Sequence, residues 1–483
     1  MGCSIKKTFR IKTGENQEKI DCLDKVVVNP GLFIKKNPNK FVYIFKLGTT
    51  LYKGKYNQVR ECVNRDTGEK KLVKIKDKRS HDAELEILIL KSLDHPCILK
   101  LFEYFEDDQR YYLILENCQG KELFQEILSG KVLNENKIAI IMQQLFSVLA
   151  YLHDHHIVHR NLTPSNILIE SSNTLNLKII NFSRAVKCDQ TPFISGSVGS
   201  PYFASPEMEN SAYSCKTDLW SVGVIFCLLL SGTPPYIVTH PRGLKYLGPT
   251  ENFGISDEIW NKTSEPGKSL LASLLSPEPQ RISAKESLNH PWLTQNLHRP
   301  ICSEALKTTV LTRLSNFHAF HKLREAVYSF IISQLVTVDE TRLLREIFKD
   351  IDKDADGKIS VQELAEEYSK LLESEEAFTL AEKIMKEVDS DNSGYIDYTE
   401  FLKGNLNSQK VLSNERLKKA FQMFDKDESG TISACELREV LQGAMESDDS
   451  LWKEIISSVD QNRDNEIDLC EFQDIILSNC LKL

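Results

Sequence analysis

Four twelve-residue stretches near the C-terminus carry oxygen-bearing side chains at positions 1, 3, 5, 9 and 12. They begin at Asp352, Asp389, Asp425 and Asp460, at intervals of 37, 36 and 35 residues. That interval fits a helix, a loop and a second helix, repeated four times. The first loop offers Asp352, Asp354, Asp356, the carbonyl of Lys358, Ser360 and Glu363, turned at Gly357. The second offers Asp389, Asp391, Ser393, the carbonyl of Tyr395, Asp397 and Glu400 around Gly394. The third offers Asp425, Asp427, Ser429, the carbonyl of Thr431, Ser433 and Glu436 around Gly430. In the fourth, Asp460, Asn462, Asp464, the carbonyl of Glu466, Asp468 and Glu471 surround Asn465. Calcium, a hard cation, takes six to eight oxygens, and this spacing with a bidentate Glu at position 12 supplies them. Asn tolerates the left-handed conformation better than other side-chain-bearing residues, so the fourth loop is expected to close. Position 8 is Ile359, Ile396, Ile432 and Ile467, which predicts short strands that pair the loops. Up to four calcium ions are expected.

At 483 residues the chain is too long for one core and predicts several domains. Its 41% hydrophobic and 27% charged content is that of soluble globular protein. The net charge of −9 gathers in the loop region, and no nucleic-acid partner is expected. The 12 cysteines stand singly, without metal-ligand spacing, as in a reducing cytosol. The longest apolar run, Val222 to Leu230, is far short of a membrane span. The N-terminus points to a membrane by another route. Gly2 stands at a myristoylation position, Cys3 beside it suits palmitoylation, and Lys6, Lys7, Arg10 and Lys12 follow. Lys6 replaces the preferred Ser or Thr. One acyl chain binds marginally, so Cys3 or the basic cluster supplies the second signal. The expected location is the cytoplasmic face of a membrane.

Between Phe41 and Leu293 a series of landmarks appears in order. Strand-like Tyr43 to Leu51 leads into Tyr52-Lys53-Gly54-Lys55-Tyr56-Asn57-Gln58-Val59, in the register of a phosphate-covering glycine-rich loop. Lys74 follows in Leu72-Val73-Lys74-Ile75, and Glu86 lies in the helical run before His95-Pro96. Then come Leu115 and Glu116 to Cys118, His159-Arg160-Asn161-Leu162-Thr163-Pro164-Ser165-Asn166, and Asn181-Phe182-Ser183. Ser205-Pro206-Glu207, Asp218 and Arg281 complete the set. These residues resemble a protein kinase domain. Beyond it, Val310, Leu311, Leu314, Phe317, Phe320, Leu323, Val327 and Phe330 recur at helical intervals, flanked by Arg313, His318, Lys322 and Arg324. That basic amphipathic stretch has the character of a calmodulin target.

Kinase region, junction and four EF-hand loops together are similar to the calcium-dependent protein kinases of plants, ciliates and apicomplexans. The resemblance implies an α+β chain: a bilobal protein-kinase fold followed by an all-α calmodulin-like domain of four EF-hands. Residues 1–40 are then a flexible basic arm, 41–293 the kinase-like domain, 294–340 an autoinhibitory junction and 341–483 the calmodulin-like domain. It also implies that Lys74 and Glu86 form an ion pair, that Leu115 is the gatekeeper and that Glu116 to Cys118 form the hinge. Gly54 and Val59 would cover the nucleotide, and the junction helix is the intramolecular partner captured when calcium binds.

Several positions depart from that pattern. The catalytic-loop Asp that takes the acceptor's proton is Asn161, and the lysine two residues on is Thr163. A neutral amide is no base near neutral pH, and losing a general base costs about 10²- to 10⁴-fold. Asn166 is retained, but the Asp that would bridge magnesium to the phosphates is Asn181. Magnesium favours carboxylate and phosphate oxygens, so Mg-ATP use is in doubt. Tyr52 and Asn57 replace two phosphate-loop glycines, and Leu72 fills the small-residue position above adenine. Three readings remain open. One is a membrane-tethered pseudokinase that signals to a protein partner by binding. Another is a working serine/threonine kinase with an altered site, for which Ser195, Ser197 and Ser200 are regulatory candidates. The third is a calcium buffer with an inert kinase region, against which the amphipathic junction argues.

Overall fold

The computed structural model describes residues 30–477, except 66, 81, 119, 129–132, 171–174, 189–199, 211–213, 241–242, 298–303, 316–321, 392, 407–410, 428, 442–455, 457–459 and 461. Gly2, Cys3 and the basic arm lie outside the described residues, as do Ser195, Ser197, Phe317, His318 and Phe320.

The first sheet follows from alternation along the chain. In β3 (Lys70–Asp77), Val73 and Ile75 turn to one face while Leu72, Lys74 and Lys76 turn to the other. With β1 (Phe45–Lys53), β2 (Asn57–Asn64), β4 (Leu101–Glu106) and β5 (Arg110–Leu115) it builds an antiparallel sheet in the order β1-β2-β3-β5-β4. Val73 and Ile75 enter a small outer core with Phe41, Phe45, Cys62, Phe105 and Ile114. The opposite face meets the helix Ala83–Lys91, where Glu86 receives Lys74 and Lys76. The first strand opens two residues later than expected, because Tyr43 belongs to the helical turn Phe41–Ile44.

A larger core gathers around two helices. Glu135–Asp154 is capped by Asn134, whose side chain accepts from Lys137 N at 3.0 Å. Thr217–Ser231 is apolar nearly all round and therefore buried, and it ends at Gly232 in the left-handed conformation. Beside it Arg281 makes a two-pronged ion pair with Glu207. No helix of the described residues is long and apolar enough to cross a membrane.

The junction runs as helices Glu304–Ser315 and Lys322–Leu335. Val310, Leu311, Leu314, Val327, Phe330 and Ile331 are buried in one continuous core with the helices around all four loops. Polar contacts fix their seat. Buried Lys307 pairs with Asp350 and with Glu367 at 2.6 Å, and Tyr368 Oη donates to the Leu311 carbonyl at 2.6 Å.

This regulatory unit docks on the back of the kinase-like domain. Arg345 donates to both Glu170 oxygens at 2.9 and 2.7 Å, and Asn176 Nδ2 donates to Glu346 at 2.9 Å. Lys349 Nζ reaches Gln144 at 3.0 Å and Asn176 at 3.1 Å. Asp94 accepts from Thr399 N at 2.9 Å, on the first turn of the helix Tyr398–Asn405. Residues 30–40, expected within a flexible arm, are instead packed. Phe33 is buried against Phe330 with ring centroids 5.6 Å apart, and Lys36 bridges Tyr104 on the sheet edge. Burial of Phe33 and Ile34, two strand-edge hydrogen bonds, the Asn37 amide on Glu103 at 2.8 Å and a Lys36–Glu106 ion pair at 2.7 Å hold this segment, with no periodic pattern to announce it.

Arg345→Ala should leave Glu170 without its guanidinium and weaken docking by about 2–3 kcal/mol, below the fully buried range because Glu170 is partly exposed. Small-angle scattering of calcium-loaded protein should then give a larger radius of gyration than wild type.

Candidate functional sites: four calcium loops and an altered kinase cleft

The four loops fold alike because each repeats the same local hydrogen bonds. The amide at position 6 donates to the position-1 carboxylate: Gly357 to Asp352 at 3.0 Å, Gly394 to Asp389 at 2.9 Å, Gly430 to Asp425 at 3.0 Å and Asn465 to Asp460 at 2.8 Å. Asn465 takes φ of 64°, the left-handed conformation a glycine would otherwise supply. The position-12 Glu closes each loop. Glu363 accepts from Lys353 N at 2.8 Å, Glu400 from Ser390 N at 2.6 Å, Glu436 from Lys426 N at 2.9 Å and Glu471 from Asn462 N at 3.1 Å. Ile359 pairs with Ile396, and Ile432 with Ile467, so the loops join two by two.

Carboxylate oxygens converge within 4.8 Å of one another in three loops: Asp352, Asp354 and Asp356; Asp389, Asp391 and Glu400; Asp425, Asp427 and Glu436. Ser393 and Ser429 stand at position 5, each donating to the carbonyl two residues on, Tyr395 and Thr431, at 3.1 Å. In the fourth loop Asn462 accepts from Asp464 N at 2.8 Å and Asp464 from Glu466 N at 2.9 Å, without a comparable group of three carboxylates among the described residues.

Crowding perturbs these acids. Burial, then repulsion from Asp356, Glu363 and Asp354, pushes Asp352 well above the usual carboxylate range. Burial and Asp354 lift Asp356 to about 6, and burial lifts Glu400 to about 7. The buried Oδ1 of Asp352 has no hydrogen-bond partner. An orphaned carboxylate oxygen among mutually repelling acids fits a missing hard cation, and the donor set is that of calcium. Bound there, calcium would be held by these side chains and would neutralise their repulsion.

The kinase cleft is assembled but rewired. Lys74 Nζ donates to Glu86 at 2.7 Å and to Asn181 Oδ1 at 3.0 Å. Lys76, two residues on and on the same strand face, bonds the second Glu86 oxygen at 2.8 Å. Period-two alternation could have found that second lysine. The two ammonium groups hold Glu86 below its usual range despite its burial, which opposes them. His159 N and Arg160 N donate to Asp218 at 2.8 and 2.9 Å, and the His159 ring stacks edge-on against Phe182.

Asparagine amides run through the remainder. An ammonium only donates, so Asn181 turns its oxygen to Lys74, and its Nδ2 donates to Asn166 Oδ1 at 3.1 Å. Asn166 Nδ2 then donates to the Asn161 carbonyl at 2.8 Å. Ser183 Oγ also donates to Asn181 Oδ1, at 2.7 Å. Asn181 Oδ1 thereby takes two donors and Asn166 Oδ1 takes one, and no carboxylate of these motifs faces them. The set does not fit magnesium. Thr163 is buried.

Nucleotide-facing groups are altered as well. Tyr52 and Asn57 lie over Gly54, where a Cβ would sit 2.9 Å from Tyr52 Oη and 2.5 Å from Asn57 Oδ1. Val59 is paired opposite Tyr52. Leu72 and the gatekeeper-position Leu115 are buried partners on adjacent strands. In the hinge, Cys118 N donates to the Glu116 carbonyl at 3.1 Å, while the Glu116 side chain points to Lys178 at 2.9 Å.

The fold and these sites define a class: a protein-kinase architecture wired to paired EF-hands. Residues 45–293 match the protein kinase domain family, and residues 341–404 and 414–477 match the EF-hand domain pair. The chain is 34% identical over 478 residues to calcium-dependent protein kinase 4 of Plasmodium falciparum, spanning 94% of this chain and 90% of that protein. It is 32% identical over 441 residues to calcium-dependent protein kinase 14 of Arabidopsis thaliana, covering 89% and 82%. The chain belongs to the calcium-dependent protein kinase family, and its EF-hands bind calcium.

Asp356 and Glu400 have folded values above those of an unfolded carboxylate, so the calcium-free domain holds protons that calcium must displace. Calcium affinity should therefore fall about tenfold from pH 7.5 to pH 5.5. Calorimetry near pH 6.5 in buffers of different ionisation enthalpy should register net proton release.

Proposed function

We propose that this chain is a calcium-operated pseudokinase that signals by binding a protein partner. Calcium in up to four EF-hands favours the seated junction helices, and the docked arrangement presents the kinase-like surface. N-terminal acylation at Gly2 and Cys3 would keep it at the cytoplasmic face of a membrane. The observation that carries this reading is the amide chain from Lys74 through Asn181 and Asn166 to Asn161. It has no base at the acceptor position and no carboxylate for a metal, and it uses the oxygens that remain. The Lys74–Glu86 pair, buried with Lys76, then acts as a brace for the empty lobe. That same intact pair is the observation favouring a second reading, an active serine/threonine kinase using Mg-ATP through an altered site.

Phosphoryl transfer from labelled Mg-ATP by purified full-length protein, with calcium and with chelator, separates the two. Wild type should give no transfer above the Lys74→Ala blank, although calcium still changes its shape. Calcium-stimulated transfer that Lys74→Ala abolishes would make the chain an enzyme. The Asn161→Asp/Asn181→Asp variant should gain at least about 10²-fold if the missing carboxylates are what limit it.

A further inference from the structure

Phe33 and Ile34 are neighbours in the chain, yet they are buried in different cores. Ile34 joins the large core of the kinase-like domain, and Phe33 joins the core built by the junction and the EF-hand helices. The helical turn Pro30–Phe33 lies against three helices. These are Lys322–Leu335 of the junction, Ala434–Leu441 leaving the third calcium loop, and Ala83–Lys91, which carries Glu86. Phe33 meets Phe330 edge-on, with ring planes at 66°. Among the described residues, Phe33 has no place in any apolar core of the kinase-like domain.

Immediately afterwards the chain is pinned to that domain's strand Leu101–Glu106. Tyr104 N donates to the Lys35 carbonyl at 3.1 Å, and Asn37 N donates to the Tyr104 carbonyl at 2.8 Å. Asn37 Nδ2 donates to Glu103 at 2.8 Å, and Lys36 pairs with Glu106 at 2.7 Å. From Lys35 back to Phe33 is two residues, a reach of about 7 Å at full extension. A regulatory unit that moves farther than this from the sheet must leave the Phe33 ring behind. The ring then loses its apolar surroundings to water, which is unfavourable.

We propose that residues 30–37 are a calcium-gated strap. Its Phe33 end is seated only when the regulatory unit is docked, while residues 35–37 stay on the sheet edge. Seating favours the docked arrangement and, because coupling between binding equilibria is reciprocal, raises calcium affinity. The strap also lies on the helix of Glu86, so the docked unit touches that helix through it. The inference rests on calcium favouring the seated junction helices, as proposed above.

Limited chymotrypsin digestion of the full-length protein, with calcium and with chelator, reads the strap through cleavage after Phe33. Small-angle scattering of the same samples reads the docking. In wild type, calcium should change the scattering profile and slow cleavage after Phe33 by about tenfold or more. Phe33→Ala should raise the calcium concentration at half-change of the profile by about fivefold, and Phe33→Leu should stay close to wild type. In chelator, Phe33→Ala and wild type should melt together. A profile that calcium leaves unchanged would overturn the capture reading and the gating with it. A profile that changes while cleavage after Phe33 does not would overturn the strap alone. So would an unshifted calcium midpoint in Phe33→Ala, or a lower melting temperature of that variant in chelator, which would mean that the ring is packed in both states.

Discussion

Carboxylates that repel one another at close range are the constraint on which the regulatory half depends. A loop that brings Asp352, Asp354 and Asp356 within 4.8 Å resists closing without a cation, and the buried, partnerless Asp352 oxygen records that cost. Relief of this repulsion is available to do work elsewhere, because the loops are built into the packing around them. The helices that leave them bury Leu314, Val327 and Ile331 of the junction in a single core. The first loop also lies directly on the kinase-like domain. A side chain on Gly357 would meet the His95 ring at 2.5 Å, so this glycine serves both its φ of 86° and the docking contact. The second loop begins the helix whose Thr399 amide donates to Asp94. The calcium loops, the buried junction helices and the docking contacts therefore share residues, with no long relay between them.

Much of this was legible in the sequence where the determinants are local. A calcium loop encodes its ligands within twelve residues, so the four sets could be read by spacing, and Asn465 could be trusted to turn. The junction's apolar stripe predicted burial, and Val310, Leu311, Leu314, Val327 and Phe330 are buried. The strand-like alternation around Lys74 also carries Lys76 to the same face. What could not be read was the partner of each exposed-looking charge. Arg345 meets Glu170 and Thr399 meets Asp94 across 175 and 305 residues, with no periodicity to relate them. Phe33 and Ile34 were hidden for a similar reason. A short apolar pair has no period, and only the structure places it against Phe330 and the edge of the sheet.

The three asparagines of the cleft, one retained and two in place of aspartates, are better understood as one unit than as two separate losses. Lys74 dictates that Asn181 presents oxygen to it and nitrogen to Asn166. Asn166 must then present oxygen back, which leaves its nitrogen for the Asn161 carbonyl. A carboxylate at 181 would set an acceptor against the Asn166 oxygen and force that amide to turn over, releasing the contact to Asn161. Asp218, meanwhile, still fixes the backbone of His159 and Arg160, and Phe182 still stacks on His159, so the scaffold persists around a changed interior. The Asn181 and Asn166 side chains satisfy each other and the Asn161 backbone carbonyl, and all three residues are half-buried. In this cleft neutral amides stand where aspartates would face a metal, inside a scaffold still fixed by Asp218 and Phe182.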